Sequence, residues 1–186
     1  MTHMLFRDDA YLRDAGARVI AHTPEGGVVL DATVFYPTGG GQPGDSGVLE
    51  WLHLLSVVVP FGVTGGAISA NHGRLDFNMP EAPEDRDAIE TTLNAYVMED
   101  AQISESWMTA AELDENPGLV KTMAVKPPRG AGQVRLVRIG DADAPIDLQP
   151  CGGTHVARTG EIGQLRLGKI EKKGRMNRRV YIHLDN

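Results

Sequence analysis

Cysteine is nearly absent from this sequence: Cys151 is the only one in 186 residues. No internal disulfide can therefore form, and a reducing compartment is expected. A long apolar run is also lacking. The longest, Leu52 to Val63, is interrupted by His53, Ser56 and Pro60, which excludes a bilayer-spanning helix. Met1 to Asp9 hold no apolar core of the kind a secretory leader needs, and a cytoplasmic location is expected. Cations are not in excess. A net charge of −7 excludes a generally basic coat for nucleic acid but leaves room for a local patch. There is no internal repeat and no low-complexity tail. What is present is a chain long enough to bury a core without cross-links. Its 22 glycines are clustered, as tight turns and close ligand approaches require.

The pattern of residues predicts strands, then a helical region, then strands again. Ala17–Thr23 and Val28–Leu30 flank a Pro-Glu-Gly-Gly turn and read as a hairpin. Thr33–Tyr36 is β-prone. Residues 37–47 hold too many glycines and prolines for regular structure, and Phe35-Tyr36 and Val48-Leu49 anchor that segment as a backbone surface for a ligand. Leu52–Val59 is so uniformly apolar that periodicity does not choose between buried helix and buried strand. Asn71-His72-Gly73 reads as a tight turn before a short strand, Arg74–Phe77. The clearest helix starts near Pro83 and ends near Asp100, with Ile89, Leu93, Tyr96 and Val97 on one stripe. Ile103–Met108 is a strand, Thr109-Ala110-Ala111-Glu112 matches a capping box, and Asn116-Pro117-Gly118 ends that helix. Gln133–Ile139, Ile162–Ile170 and Arg179–Leu184 are further strands. The fold class is α+β, with an N-terminal all-β unit and a C-terminal mixed unit.

Three places carry chemistry. In Leu148–Val156, Cys151 and His155 are four residues apart, a spacing that brings a thiolate and an imidazole to one metal ion from a single turn of chain. Two ligands do not make a site, and a buried structural cysteine followed by a surface histidine fits the spacing as well. His53 lies inside an apolar run, where a histidine hydrogen-bonded in the core is as good a reading as a ligand. Between Lys169 and Arg179 lie Lys172, Lys173, Arg175, Arg178 and Arg179 with only Glu171 opposing. A solvated turn and a phosphate contact are both open there.

Longer strings carry more than spacing. Phe35-Tyr36-Pro37-Thr38-Gly39-Gly40-Gly41-Gln42-Pro43-Gly44-Asp45 is followed by Leu52-His53-Leu54-Leu55 and by Gly73-Arg74-Leu75-Asp76-Phe77. Gln149-Pro150-Cys151-Gly152-Gly153-Thr154-His155-Val156 and Gly174–Arg179 follow in the same order. The chain resembles the free-standing alanyl-tRNA editing proteins, relatives of the editing domain of alanyl-tRNA synthetase, from about Val34 onward. The resemblance implies an N-terminal β-barrel-like subdomain, residues 1–50, and an α+β editing domain with an antiparallel sheet, residues 51–186.

That family binds zinc through an H-x-x-x-H motif on a helix and a later cysteine and histidine. The resemblance places Zn2+ at His53, Cys151 and His155. Leu49 stands where the first histidine of the motif falls, and the chain passes from Gly47-Val48 almost directly to His53, where the family has several strands and the start of the helix. The resemblance makes Thr38, Gln42 and Thr64 the catalytic-site residues: Thr38 matches a threonine that meets the serine hydroxyl, and Thr64 with Gly65 and Gly66 matches a segment lining the pocket. Lys172, Lys173, Arg175, Arg178 and Arg179 match a segment placed near tRNA. Asp45 and Asp76 are the available carboxylates, and both read as structural. The implied activity is hydrolysis of serine, and of glycine as a further substrate, from mischarged tRNA(Ala), without ATP and away from membranes. The alternative from another class is a tRNA-binding module whose metal site is structural or lost.

Overall fold

Leu52–Val59 becomes a helix because its side chains are buried on every side, which suits a helix at the centre of a core. It spans Glu50–Val58 (α1), and Trp51, Leu54 and Leu55 are at most 1% exposed. The architecture is that of a computed structural model, described for residues 2–24, 26–37, 50–69, 72–123 and 132–185.

Near the N-terminus four short strands form two separate ladders. His3–Met4 (β1) pairs in parallel with Ala32–Thr33 (β4), and Val19–His22 (β2) pairs antiparallel with Val28–Leu30 (β3). The expected hairpin is therefore present. The expected barrel-like closure is not: among the described residues these strands join no larger sheet and close no barrel.

The larger sheet is antiparallel, in the order β10-β11-β6-β5. Its strands are Val63–Ile68 (β5), His72–Asn78 (β6), Leu165–Gly174 (β10) and Asn177–Leu184 (β11). Strand alternation sends Leu75 and Phe77 of β6 and Val180 and Ile182 of β11 into the core, as a half-buried sheet requires. Helix α2, Arg86–Met98, covers that core with Ile89, Leu93 and Val97. Asp85 caps it by accepting from the Ala88 N–H at 2.8 Å, so the helix begins past Pro83 rather than at it.

The second sheet is antiparallel β7-β8-β9, built from Ile103–Thr109, Gln133–Gly140 and Pro145–Pro150. A short helix, Ala110–Glu115 (α3), leaves β7 through the capping box. Glu112 N–H donates to Thr109 Oγ1 at 3.2 Å, and Thr109 N–H donates to Glu112 Oε2 at 2.6 Å.

Three expectations are corrected, and one strand is added. His72 and Gly73 open β6 instead of forming a turn. The last core strands are shifted, because Thr159–Ile162 forms a 3-10 turn and β10 starts at Leu165. The basic segment is not a loop: β10 and β11 run through it to a tip at Arg175-Met176. Strand β9, Pro145–Pro150, is not among the elements read from the sequence.

Candidate metal centre

The site is assembled where β9 meets α1. His53 projects from α1 and is 6% exposed. Cys151 and His155 follow β9 in an irregular segment, so their meeting does not come from a helical turn. One donor atom from each of His53, Cys151 and His155 lies within 4.8 Å of the other two. The two imidazoles meet edge to face, with ring centroids 5.2 Å apart.

Arg135 of β8 shapes the cysteine segment from below. Its guanidinium is buried and donates to the carbonyls of Cys151 at 3.1 Å and Gly153 at 2.8 Å. Its other face donates to Glu105 of β7, with Nε 2.8 Å from Oε2 and a second contact from Nη2. The Cys151 N–H donates to the Arg135 carbonyl at 3.2 Å. Planar, bidentate geometry of this kind is what arginine supplies and lysine does not.

A second buried group backs His53. Asp147 of β9 is 3% exposed, and its Oδ2 lies 3.2 Å from His53 Nδ1. This is ion-pair distance, with the N–H off hydrogen-bond alignment. Gln149 Nε2 donates to the same oxygen at 2.5 Å, while Lys121 Nζ pairs with Oδ1. Ser56 Oγ donates to the His53 carbonyl at 2.7 Å, one helical turn on.

The electrostatics follow from these contacts. Burial pushes the Cys151 thiol up, but His155 and His53 outweigh it and hold the thiol well below its ordinary value. Burial opposes charge on His53, yet Asp147 and Cys151 overcome it and push the imidazole up to about 10. Burial also raises Asp147, and His53 and Lys121 more than offset that, leaving it lowered. Burial and the charge of Cys151 push the Tyr36 phenol up, which puts Tyr36 in the surroundings of the sulfur. The cluster sets one sulfur and two imidazole rings within reach of a single cation. A sulfur and two nitrogens are a donor set that suits zinc, and three protein ligands are the number that catalytic zinc sites keep.

The other sequence-predicted residues do not all join this cluster. Thr38, Gln42 and Leu49 lie outside the described residues. Thr64 sits on β5, where its hydroxyl donates to the Asp76 carbonyl at 3.1 Å and accepts from Asn177 Nδ2 at 3.1 Å. Of the basic residues, Arg178 is buried and donates to the carbonyls of Gly174 at 2.9 Å, Asn177 at 3.0 Å and Pro80. Arg179 forms a two-pronged pair with Asp76, at 2.7 and 2.8 Å. Lys173 pairs with Glu171 at 3.1 Å. Lys172 and Arg175 are exposed near the tip of the hairpin.

Comparison with known proteins points the same way. Residues 134–181, which include Cys151 and His155, match the Threonyl and Alanyl tRNA synthetase second additional domain. Over 247 residues the chain is 26% identical to the alanyl-tRNA editing protein AlaX-M of Methanosarcina acetivorans, covering 99% of both chains. The chain is AlaX-like. The AlaX-M of Saccharolobus solfataricus is 28% identical over 242 residues, covering 97% of this chain and 98% of that one. The alanine–tRNA ligase of Pyrobaculum calidifontis is 29% identical over 229 residues, which cover 92% of this chain and 25% of the ligase.

Reading the sequence alone missed Asp147, Lys121, Arg135 and Glu105. One signal was available for Asp147. Ile146, Asp147, Leu148 and Gln149 alternate as a strand does, but the polar pair faces inward, the reverse of the usual assignment.

Proposed function

We propose that this protein is a trans-editing hydrolase that removes serine, and glycine as a further substrate, from mischarged tRNA(Ala), with residues 51–186 as the editing unit. The observation that carries this reading is the convergence of His53, Cys151 and His155, with ligand atoms within 4.8 Å of one another, inside a chain similar to AlaX-M along its length. The chemical need is general. A synthetase pocket sized for alanine rejects the isostere with one added hydroxyl only weakly, so a second site must hydrolyse the error.

In this reading His53, Cys151 and His155 hold Zn2+, which supplies a Lewis acid for activating water or orienting the ester. Asp147 and Arg135 hold the ligands in place. The Thr38 hydroxyl pairs with the substrate serine hydroxyl, and alanine fails because it would leave Thr38 without that partner. Gln42 and Thr64 line the pocket. Lys172, Lys173 and Arg175 meet tRNA phosphates, and Arg178 and Arg179 set the shape of the hairpin that presents them.

The test combines metal analysis with deacylation. The purified protein is expected to hold about one zinc per chain, as a three-ligand catalytic site does, and to hydrolyse Ser-tRNA(Ala). Cys151→Ser and His53→Ala are expected to lose both properties while keeping the far-UV spectrum. Wild-type hydrolysis in either variant overturns the assignment.

A further inference from the structure

We propose that Asp147 is a positioning residue that fixes the His53 imidazole with its proton on Nδ1 and its Nε2 turned toward Cys151 and His155. This rests on the reading of that cluster as a metal centre. The carboxylate lies behind the ring, 3.2 Å from Nδ1, so Nε2 is the nitrogen left for a ligand role. A histidine that binds a metal through one nitrogen gains basicity and a fixed orientation when the other faces a carboxylate.

Three features suit Asp147 to this task. It is 3% exposed, so water does not compete for its oxygens. Its two oxygens are divided: Oδ2 faces His53 and accepts from Gln149 Nε2 at 2.5 Å, and Oδ1 meets Lys121. Gln149 also reaches toward Ser56 Oγ at 3.5 Å, which ties the carboxylate's neighbour back to the helix that carries His53.

Lys121 is placed by backbone pairing, not by chance rotamer. Val63 N–H donates to the Lys121 carbonyl at 3.0 Å, Met123 N–H donates to the Val63 carbonyl at 2.7 Å, and Thr122 bridges Val63. The segment therefore runs beside the start of β5 and delivers an ammonium to a buried carboxylate. Charge explains why both are needed. Cys151 as a thiolate already offsets half the charge of a dication. A second, unscreened carboxylate nearby would be expensive to bury, and Lys121 removes that cost while leaving Oδ2 available to the imidazole.

The experiment has a wild-type arm and a variant arm. In wild-type protein loaded with 113Cd, scalar coupling to the His53 ring is expected at Nε2, with Nδ1 protonated. Coupling to Nδ1 overturns the proposal, whereas no coupling to His53, Cys151 or His155 overturns the metal reading beneath it. In the variant arm, zinc affinity is measured by competition with a chromophoric chelator. Asp147→Asn is expected to weaken zinc binding about 10- to 100-fold, the range for loss of an outer-shell partner, and to change the visible spectrum of the Co2+ form. The double variant Asp147→Asn with Lys121→Gln removes both charges together, avoids a lone buried cation, and is expected to show the same loss. A merely structural Asp147 would lower thermal stability and leave affinity and the Co2+ spectrum as in wild type, and that result overturns the proposal.

Discussion

Removing the Arg135 guanidinium strands Glu105 and takes the donors from the Cys151 and Gly153 carbonyls. Arg135→Met is therefore expected to cost about 1–3 kcal/mol in urea unfolding, the range for leaving buried acceptors without their donor, since the half-exposed Glu105 regains water. Arg135→Lys is expected to recover little, because an ammonium does not reproduce the fork. Arg178 belongs to the same class of residue. It looks like a phosphate ligand in the sequence, but its donors go to three protein carbonyls. The three residues that converge, His53, Cys151 and His155, were legible, since they lie in strings whose order and residue types are distinctive. Their supports were not. A buried aspartate or arginine has the same letter as an exposed one, and only the inward polar face of β9 distinguishes Asp147.

At the scale of elements, the β10–β11 hairpin divides its cations by what each already touches. Lys172→Ala with Arg175→Ala is expected to leave thermal stability unchanged and to weaken tRNA binding. The slope of log K against log salt should fall by roughly one per lost phosphate contact, measured by filter binding over a salt series. The pairing of Arg179 with Asp76 across the β11–β6 register has a different signature. Burial raises the Asp76 carboxyl, but Arg179 and Arg74 outweigh it and lower its pKa. A lowered folded value means this contribution is present above the unfolded pKa of about 3.9 and is lost as pH falls through the folded value. Urea midpoints are expected to drop in that acid range, and Asp76→Asn is expected to flatten the drop. Helix α2 was readable to within a few residues because its stripe and cap are local. Strand β9 was not, because what makes it a strand is its pairing with β8 beyond the Asp- and Pro-bearing segment.

For the whole molecule, the α+β class followed from the order of strand-like and helix-like segments, the antiparallel sheet came from the resemblance, and the core formed where Leu75, Phe77, Leu93 and Val180 pointed. The barrel-like N-terminal part came from resemblance rather than from local signals, and the described strands there remain two small ladders. The three candidate ligands have a thermodynamic consequence of their own. His53 and Cys151 stand about a hundred residues apart, and a cross-link over such a span removes a large share of the unfolded chain's freedom. A cation bound by both acts as a reversible clasp, absent from the unfolded chain and set by the free-metal concentration. If His53, Cys151 and His155 hold zinc as proposed, resistance to proteolysis is expected to rise and fall with zinc buffering, so that the supply of a trace metal would set how long the folded chain survives.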